Sequence, residues 1–575
     1  YINGKYIPIH LRNYIVEQNY ENYTAIEQAS WRFIMRISKR FFEKYAHSAY
    51  LSGLEQTGIT TDSIPKVEEM NQKLAEIGWA AACVRGFIHP VAFMEFQSLG
   101  ILPIAADMRT LDHLTYTPAP DIVHEAAGHA PILADPKYSD YVMKYGTIAR
   151  KAIMSKEDLD LYEAIRELSD KKENPNSTET EILECEKNLS QARDAINYVS
   201  EAAYLTRMNW WTVEYGLVGD INNPKIYGAG LLSSVSESQN CLSENVKKIP
   251  FSIECINTTY DITEPQPQLF VVPDFNELSK VLDEMAETMA FKRGGVYGLQ
   301  KAKESRTVCT AEYDSKIQVS GILHDYIVDE NNNPIYIQYT GPTQLSRYGN
   351  ELRGHGGDYH LDGFSSPVGN IKNLDKPICD FNDDDILKIN LKVNENIKVE
   401  FQSSLIVSGK VKNILEDNGR ILIVSFDNCY VKFKDTILFK PEWGLFDMAC
   451  GGSIVSVYGG PADYEKYNKF FPDYNSNNIK ISSKPSISKS HANLNELYKS
   501  VRKIRENKYK ADLEKLEKIY LKLISEFPND WLLIMELLEL DSSSGWSKDA
   551  FRKLKSMAKK NSEIAIVVER GLALI

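Results

Sequence analysis

The sequence predicts a multidomain protein in which a mainly α-helical first half is followed by a β-rich middle and a helical C-terminal segment. The chain has 575 residues, more than one hydrophobic core usually holds. Apolar residues recur at helical spacing as far as about residue 305 and again from residue 492, which favours helices in both regions. Between these regions, short alternating runs are separated by turn residues, and this pattern is typical of strands.

The domain boundaries follow these changes in pattern. We assign residues 1–305 to the helical domain and residues 306–470 to the β-rich domain, which we expect to be a small barrel or sandwich. Residues 471–490 are rich in Asn, Ser, Lys and Pro and are interpreted as a linker. Residues 491–575 form the predicted helical module, whose hairpins we compare with a tetratricopeptide unit.

Two helical features stand out in the first half. Thr24 is a predicted N-cap, and apolar residues follow it at helical spacing through residues 27–35. Residues 156–170 and 181–200 are charged helical patterns on either side of a polar turn, so they predict a helical hairpin. We expect this hairpin to serve packing or an interface, because it carries no residue pattern typical of catalysis.

The strand pattern of the middle region is carried by three segments. Residues 386–393 alternate between apolar and polar, which predicts a strand. Asn418 and Gly419 precede the apolar run 421–426, and this pair is a strong signal for a tight hairpin. Residues 430–434 continue the alternation.

Composition excludes several classes of protein. A net charge of −13 argues against a nucleic-acid-binding protein, which usually carries a basic patch. No apolar run approaches the length needed to cross a membrane, so we expect no membrane partner. The eight cysteines are scattered without a Cys-x-x-Cys pair, which favours reduced thiols and a cytoplasmic location.

The clearest functional pattern combines two histidines with a distant carboxylate. His124 and His129 lie in the segment DIVHEAAGH, and Glu214 lies in the aromatic segment NWWTVEYG. Two imidazoles and one carboxylate on one face of a metal form the ligand set of non-haem Fe(II) oxygenases. We therefore assign these three residues as the candidate iron ligands.

The spacing of the histidines leaves alternatives open. Five residues on an ideal α-helix separate two side chains by roughly 140°. Both imidazoles reach one metal only if His124 lies at a helix start or the helix is distorted. The zinc-protease pattern, His-Glu-x-x-His, differs by one residue, so a metal-dependent hydrolase using Glu125 is a weaker alternative. Two histidines with ordinary structural roles are the other alternative.

Three motifs indicate a family. Three segments resemble, in the same order, segments of the pterin-dependent aromatic amino acid hydroxylases. They are residues 116–133, 211–217 and 227–234. The resemblance extends from Tyr23 to Phe291, about half of the chain. It is strongest to members that hydroxylate phenylalanine, in a long form like those of some bacteria. The resemblance implies that the helical half is a catalytic domain of this type and that part of the 156–200 hairpin is an insertion.

The resemblance also implies the cofactors and the reaction. The family uses Fe(II), tetrahydropterin and O2, and it hydroxylates a free amino acid through an Fe(IV)=O species; the protein contributes positioning and electronics. It implies that Ser233 hydrogen-bonds the His124 ring. It further implies that Glu125 faces the pterin, whereas the simpler interpretation is an acid in the first turn of a helix.

The remaining site residues are likewise implied by the resemblance. The pterin site comprises Gly86, Phe87, Ile88, Phe93 and Glu125. The substrate site comprises Arg109, Thr117, Pro120, Trp210, Ser233 and Val271. Arg109 is expected to bind the substrate carboxylate, because a guanidinium pairs with a carboxylate through two hydrogen bonds. Core packing for Phe93 and a salt bridge for Arg109 are the structural alternatives.

The expected substrate is phenylalanine, with tyrosine formed as the product. Tryptophan hydroxylases resemble this sequence but tend to carry phenylalanine at the position of Trp210, and tyrosine hydroxylases carry aspartate at the position of Val271. Hydroxylation of tyrosine or tryptophan remains the alternative within the family. We also expect a homo-oligomer or partner contact through the C-terminal helices.

A second run of histidines lies in the β-rich region. The segment Arg353–His360 is rich in glycine and carries His355 and His360. The run offers ligands for a second metal or another ligand, and an irregular surface loop is the more common interpretation.

Overall fold

The computed structural model describes residues 1–85, 88–115, 120–173, 177–262, 264–470, 489–506 and 513–575. The first half is mainly helical, as the sequence predicts. Its α-helices are α1 (Ile9–Arg12), α2 (Ala25–Tyr45), α3 (Ala49–Gln56), α4 (Val67–Glu76), α5 (Pro90–Ser98), α6 (Pro136–Ala149), α7 (Lys156–Glu173), α8 (Glu179–Asp194), α9 (Glu201–Asn209), α10 (Ala229–Ser233), α11 (Glu237–Asn240), α12 (Phe275–Thr288), α13 (Ala290–Arg293) and α14 (Gly295–Ser305).

Two small sheets and several short helices complete the first half. Strands β1 (Ala80–Val84) and β2 (Ile101–Ala105) pair in parallel, and a second sheet has the order β4 (Lys225–Ile226), β3 (Leu217–Val218), β6 (Gln268–Val272), β5 (Lys247–Pro250). The 3-10 helices are Tyr20–Asn22, Leu111–His113, Pro131–Ala134 and Ile253–Asn257, and two π-helices cover Val123–His129 and Trp210–Glu214.

The predicted cap at Thr24 is confirmed. The Thr24 hydroxyl accepts the backbone N–H of Glu27 at 3.1 Å, and the Glu27 carboxylate accepts the backbone N–H of Thr24 at 2.7 Å. This reciprocal capping box satisfies two donors that the first helical turn leaves without partners. The predicted hairpin after residue 155 is also present, as α7 and α8, with Lys171 bound to Glu181 across the two helices.

The middle region contains two antiparallel sheets. The strands are β7 (Val308–Tyr313), β8 (Ile317–Val328), β9 (Pro334–Arg347), β10 (Asn350–Glu351), β11 (Gly363–Pro367), β12 (Asn396–Glu400), β13 (Leu405–Asp417), β14 (Arg420–Phe433), β15 (Thr436–Phe439), β16 (Phe446–Ala449) and β17 (Ile454–Gly459). The first sheet has the order β10-β9-β8-β7-β17, with β11 on β9. The second has the order β12-β13-β14-β15, with β16 on β14. Short helices α15 (Asp383–Lys388) and α16 (Tyr464–Tyr467) and the 3-10 turns Ile378–Asp380, Pro441–Trp443 and Asn468–Phe470 accompany them.

One turn prediction is confirmed and one strand prediction is wrong. Asn418 and Gly419 join β13 to β14 with φ of 51° and 75°, the conformation that two-residue hairpins require. Residues 386–393, by contrast, do not form a strand, because α15 occupies Asp383–Lys388. Asn382 caps this helix by accepting the N–H of Asp385, and acidic residues fill its first turn. The cap and the helix dipole outweigh the short alternation.

The C-terminal helices share their core with the first half. They are α17 (Lys489–Glu506), α18 (Leu513–Glu526), α19 (Trp531–Leu540), α20 (Gly545–Lys560) and α21 (Ser562–Leu572). Their buried apolar residues belong to the same cluster as those of α2. The Asn495 side chain accepts the N–H of Ala25 at 2.9 Å, and Glu536 binds Arg32 at 2.7 Å in the interior. The predicted module is therefore not a separate core, although its helices are correctly predicted.

Three further expectations concern the linker, membrane-spanning helices and the cysteines. Most of the predicted linker, residues 471–488, lies outside the described residues. None of the helices in the described ranges combines the length and the apolar character that a membrane crossing requires. The eight cysteines are buried free thiols.

Candidate metal centre

The two histidines lie on one face of a distorted helix. His124 and His129 belong to the π-helix Val123–His129, in which hydrogen bonds run from residue i to residue i+5. Residues five apart are therefore one turn apart, and the two Nε2 atoms lie 3.2 Å from each other. Of the two arrangements that the five-residue spacing allows, a helix start or a distorted helix, the structure has a distorted helix, with His124 as its second residue.

Glu214 reaches the same point from a second π-helix. This helix, Trp210–Glu214, continues directly from α9 and ends at the carboxylate. The Glu214 Oε2 atom lies 3.3 Å from His124 Nε2, and Oε1 lies 3.4 Å from His129 Nε2. One ligand atom from each residue thus lies within 4.8 Å of the others. Two imidazole nitrogens and a carboxylate in this arrangement fit an Fe(II) ion.

Ser233 determines which nitrogen of His124 faces the other two ligands. The Ser233 hydroxyl donates to the carbonyl of Ala229 at 2.7 Å, so its oxygen is left to accept a hydrogen bond. That oxygen lies 2.9 Å from His124 Nδ1, which must then carry the proton. The Nε2 lone pair is consequently available for a metal. The hydrogen bond implied by the family resemblance is present.

Gly128 allows the helix that carries Ser233 to come close. A Cβ atom at Gly128 would lie 2.7 Å from the backbone oxygen of Ala229, which is closer than real Cβ atoms come. Since Ala229 begins α10 and Ser233 ends it, the absence of a side chain at Gly128 brings Ser233 within reach of His124. The glycine of the DIVHEAAGH segment therefore has a packing role at this site.

The sequence analysis missed the role of Asp121. Its Oδ2 atom accepts from Arg109 Nε at 2.7 Å, and its Oδ1 atom accepts from Arg109 Nη2 at 2.9 Å. Oδ1 also accepts the backbone N–H of His124 at 3.0 Å. Arg109 Nη1 in turn donates to the Ser233 carbonyl at 3.0 Å, which closes the network. An acid three residues before His124, at the start of a helix, is the sequence signal that indicates such a role.

An aromatic stack flanks Glu214. The Trp210 ring lies parallel to the rings of Tyr215 and Tyr260, at centroid distances of 4.4 and 4.3 Å. Trp210 Nε1 donates to the Gln266 side chain at 3.4 Å. Tyr260 and Gln266 were not identified from the sequence, because only the folded chain brings them to Trp210.

Two glutamates of the site, Glu125 and Glu214, lie in contrasting environments. Burial raises the pKa of Glu125 to about 8, and its Oε2 atom has no hydrogen-bond partner in the described part of the chain. For Glu214, burial by itself favours the neutral form, but the adjacent imidazoles outweigh it and hold the pKa well below its ordinary value. A buried polar oxygen without a partner fits a site that is completed by a bound cofactor.

The structure describes four of the remaining predicted site residues. Ile88 is half-buried and packs on the apolar cluster that contains β1, and Phe93 is half-buried in α5. Val271 is buried in β6, opposite Leu217 of β3. Pro120 is exposed. The predictions for Gly86, Phe87 and Thr117 lie outside the described residues.

Comparisons with known proteins identify the family. The family model of the biopterin-dependent aromatic amino acid hydroxylases matches residues 14–158 and 194–307, so the α7–α8 hairpin falls largely in the unmatched gap. The phenylalanine-4-hydroxylase of Pseudomonas aeruginosa is 30% identical over 270 residues, covering 47% of this chain and 86% of that protein. The phenylalanine-4-hydroxylase of Mesorhizobium japonicum is 29% identical, covering 46% and 82%.

A solved structure is also similar. Phenylalanine hydroxylase from Chromobacterium violaceum, with bound iron(III) and 7,8-dihydrobiopterin, has 26% identity and a TM-score of 0.39, covering 49% of this chain and 92% of that one. The alignment with the Pseudomonas aeruginosa enzyme covers most of the length of that enzyme. The chain therefore belongs to the biopterin-dependent aromatic amino acid hydroxylases.

Proposed function

We propose that this pterin-dependent hydroxylase is a phenylalanine 4-monooxygenase, which converts free L-phenylalanine to L-tyrosine with tetrahydropterin and O2. We assign His124, His129 and Glu214 as the ligands of its iron ion. The observation that carries the proposal is the convergence of these three ligand atoms within 4.8 Å of one another. Iron and dihydrobiopterin in the Chromobacterium violaceum hydroxylase agree with this choice of cofactors.

The chain's own contribution to the metal is orientation. Three protein ligands on one face of Fe(II) leave the opposite face open, and the bound metal and pterin supply the oxygen-activating chemistry. Ser233 keeps the proton of His124 on Nδ1, so that Nε2 points towards the metal position. Glu125 offers its unpartnered carboxyl oxygen to the pterin site, together with Ile88 and Phe93.

Arg109 is proposed to bind the carboxylate of the amino acid, but in a different manner from the one expected. Asp121 already occupies the edge of the guanidinium formed by Nε and Nη2. A guanidinium has five N–H groups, and Nη2 therefore keeps one that Asp121 does not use. We assign this N–H to the substrate carboxylate. Asp121 and the Ser233 carbonyl hold the arginine in place while the substrate carboxylate accepts this one N–H.

The choice of phenylalanine rests on the apolar character of the surroundings. Val271 is buried and offers no hydrogen-bonding group, and Trp210 lies within a stack of aromatic rings. Val271 therefore offers a substrate hydroxyl no hydrogen bond in return for its desolvation. The two phenylalanine-4-hydroxylases of similar sequence support the same choice. Hydroxylation of tyrosine or tryptophan is the alternative within the family.

The test is product formation from phenylalanine, tyrosine and tryptophan, offered in parallel with Fe(II), tetrahydropterin and O2. We expect tyrosine to form from phenylalanine, and Glu214→Gln to abolish the reaction and lower the iron content. Glu43→Gln, which removes the same type of side chain at an exposed position, should retain both. Preferential turnover of another amino acid would favour the alternative reaction. Iron-loaded protein that hydroxylates none of the three would contradict the proposal.

A further inference from the structure

The glycine-rich loop of the β-rich region brings two histidines to fixed positions. The loop connects β10 to β11 and runs alongside β9. The backbone N–H of Leu345 donates to the carbonyl of His355 at 2.9 Å, and the backbone N–H of Thr343 donates to the carbonyl of His360 at 3.0 Å. Strand β9 therefore holds the loop at both histidines. An irregular surface loop would not need to be fixed at these two residues.

The two imidazoles meet a carboxylate from the other sheet. His355 Nδ1 lies 3.2 Å from His360 Nε2, and the rings are 5.4 Å apart with an interplanar angle of 23°. Asp447 lies on β16, which pairs with β14 in the second sheet. One ligand atom from each of the three residues lies within 4.8 Å of the others. Exposures of 7%, 8% and 6% for His355, His360 and Asp447 show that the cluster is interior.

The charge of this cluster is not balanced by a nearby basic residue. The two imidazole nitrogens lie within 4.8 Å of the Asp447 carboxylate, and no ion pair of Asp447 with a lysine or an arginine is found among the described residues. The hydroxyls of Ser425 and Tyr359 donate hydrogen bonds to the Asp447 carboxylate, which satisfies part of its hydrogen-bonding capacity but does not neutralise its charge. A buried carboxylate without a cation is costly. A metal ion would neutralise it and would use the nitrogen lone pairs of both imidazoles.

The geometry agrees with a small divalent ion. Zinc binds imidazole nitrogens at about 2.0–2.1 Å, and at a tetrahedral angle two such ligands lie roughly 3.3 Å apart. The observed separation of His355 Nδ1 and His360 Nε2 is 3.2 Å. Two imidazoles and one carboxylate also form one of the ligand sets found in zinc sites with an open fourth position.

We propose that His355, His360 and Asp447 form a second metal site, separate from that of His124, His129 and Glu214, and that it takes a divalent first-row transition metal such as Zn(II). The ion ties the loop of the first sheet to β16 of the second. The exposed residues Asp358 and Tyr359 lie in the same loop, and the Tyr359 ring is 4.7 Å from that of His360, so the site lies next to solvent.

The test counts metal ions bound by the full-length protein. Metal-free protein is titrated with Co(II) alone, and bound metal is measured by elemental analysis and by the visible absorption of the ion. We expect two equivalents in the wild type, one in Glu214→Ala, one in His360→Ala, and none in the double variant. His324→Ala removes an exposed histidine of β8 and should retain two equivalents.

Folding is monitored by circular dichroism, and Asp447→Asn provides a second variant of unchanged shape in case His360→Ala does not fold. In the Glu214→Ala background, Co(II) should raise the Tm, and Asp447→Asn should abolish this increase. A wild type that binds one equivalent, lost entirely in Glu214→Ala, would overturn the proposal. Retention of two equivalents in both His360→Ala and Asp447→Asn would also overturn it. His355 and His360 would then form only a hydrogen-bonded pair.

Discussion

The guanidinium of Arg109 and the carboxylate of Asp121 form a bidentate ion pair in the interior, and the two side chains are 1% and 4% exposed. Arg109 Nε lies 2.7 Å from Oδ2 and Nη2 lies 2.9 Å from Oδ1. Asp121 also accepts the backbone N–H of His124 at 3.0 Å. One carboxylate therefore orients both the arginine that is proposed to bind the substrate and a proposed iron ligand. We therefore expect substrate binding and metal geometry to be coupled through Asp121.

Asp121→Asn tests this coupling. The amide keeps the shape but leaves the buried Arg109 without its charge partner, so we expect a loss of about 3–5 kcal/mol in the free energy of unfolding. We also expect a higher KM for the amino acid, because the arginine loses its fixed orientation. Urea denaturation and steady-state kinetics measure the two effects. Arg40→Gln, in an exposed ion pair with Glu43, should change stability by less than about 1 kcal/mol. Equal stability of the two variants would contradict a stabilising role for the Arg109–Asp121 pair, and an unchanged KM in Asp121→Asn would refute the coupling.

Ser233→Ala should weaken metal binding while leaving the fold intact. Loss of the acceptor for His124 Nδ1–H removes the group that fixes the imidazole, and such losses lower metal affinity by about 10–100-fold. Titration of metal-free protein with Fe(II) measures the affinity. The neighbouring Ser234→Ala is the matched control, since Ser234 bonds to the Thr115 carbonyl and not to the histidine. An unchanged affinity in Ser233→Ala would mean that the hydrogen bond does not orient the ligand.

Gly128→Ala should disturb the same site through the backbone. The added methyl group would lie 2.7 Å from the Ala229 carbonyl oxygen, so α10 must move away from the π-helix. Overpacking of this kind costs about 1–3 kcal/mol, and the displaced Ser233 should also lower metal affinity. Chemical denaturation and metal titration detect the two effects. Gly545→Ala is the control, because a Cβ there meets no atom within 4 Å. Wild-type stability in Gly128→Ala would show that α10 adjusts without cost.

Trp531→Ala should destabilise the catalytic half as well as the C-terminal helices. The Trp531 ring packs edge-on against Phe33 of α2 at 5.1 Å, within the shared apolar cluster. Truncation of a buried tryptophan costs about 3–5 kcal/mol. Because the core is shared, the catalytic half and the C-terminal helices should still unfold in one thermal transition, at a lower Tm. Metal binding should be lost in the same transition. Trp443→Ala, at an exposed position, should have little effect. Separate transitions for the two regions would contradict a shared core.

The sequence predicted the elements whose stability is local. The capping box of Thr24 and Glu27 and the turn at Asn418 and Gly419 are short-range arrangements, so the residues that form them are neighbours in the chain. The prediction failed at residues 386–393, where two-residue alternation over a short run competed with the cap at Asn382. An alternation of that length does not distinguish a strand from a turn of helix without the packing that surrounds it.

The candidate site divides in the same way. Residue types and a five-residue spacing in the sequence determined that His124 and His129 could share a metal only at a helix start or on a distorted helix, and family motifs identified Glu214 as their partner. The tertiary structure decided that π-helices bring all three together, that Asp121 holds Arg109, and that Tyr260 stacks on Trp210. It also decided that the C-terminal helices complete the core of the first half. Chemistry and local conformation depend on nearby residues, whereas contacts between distant segments depend on how whole apolar faces pack, which the pattern of any one segment does not specify.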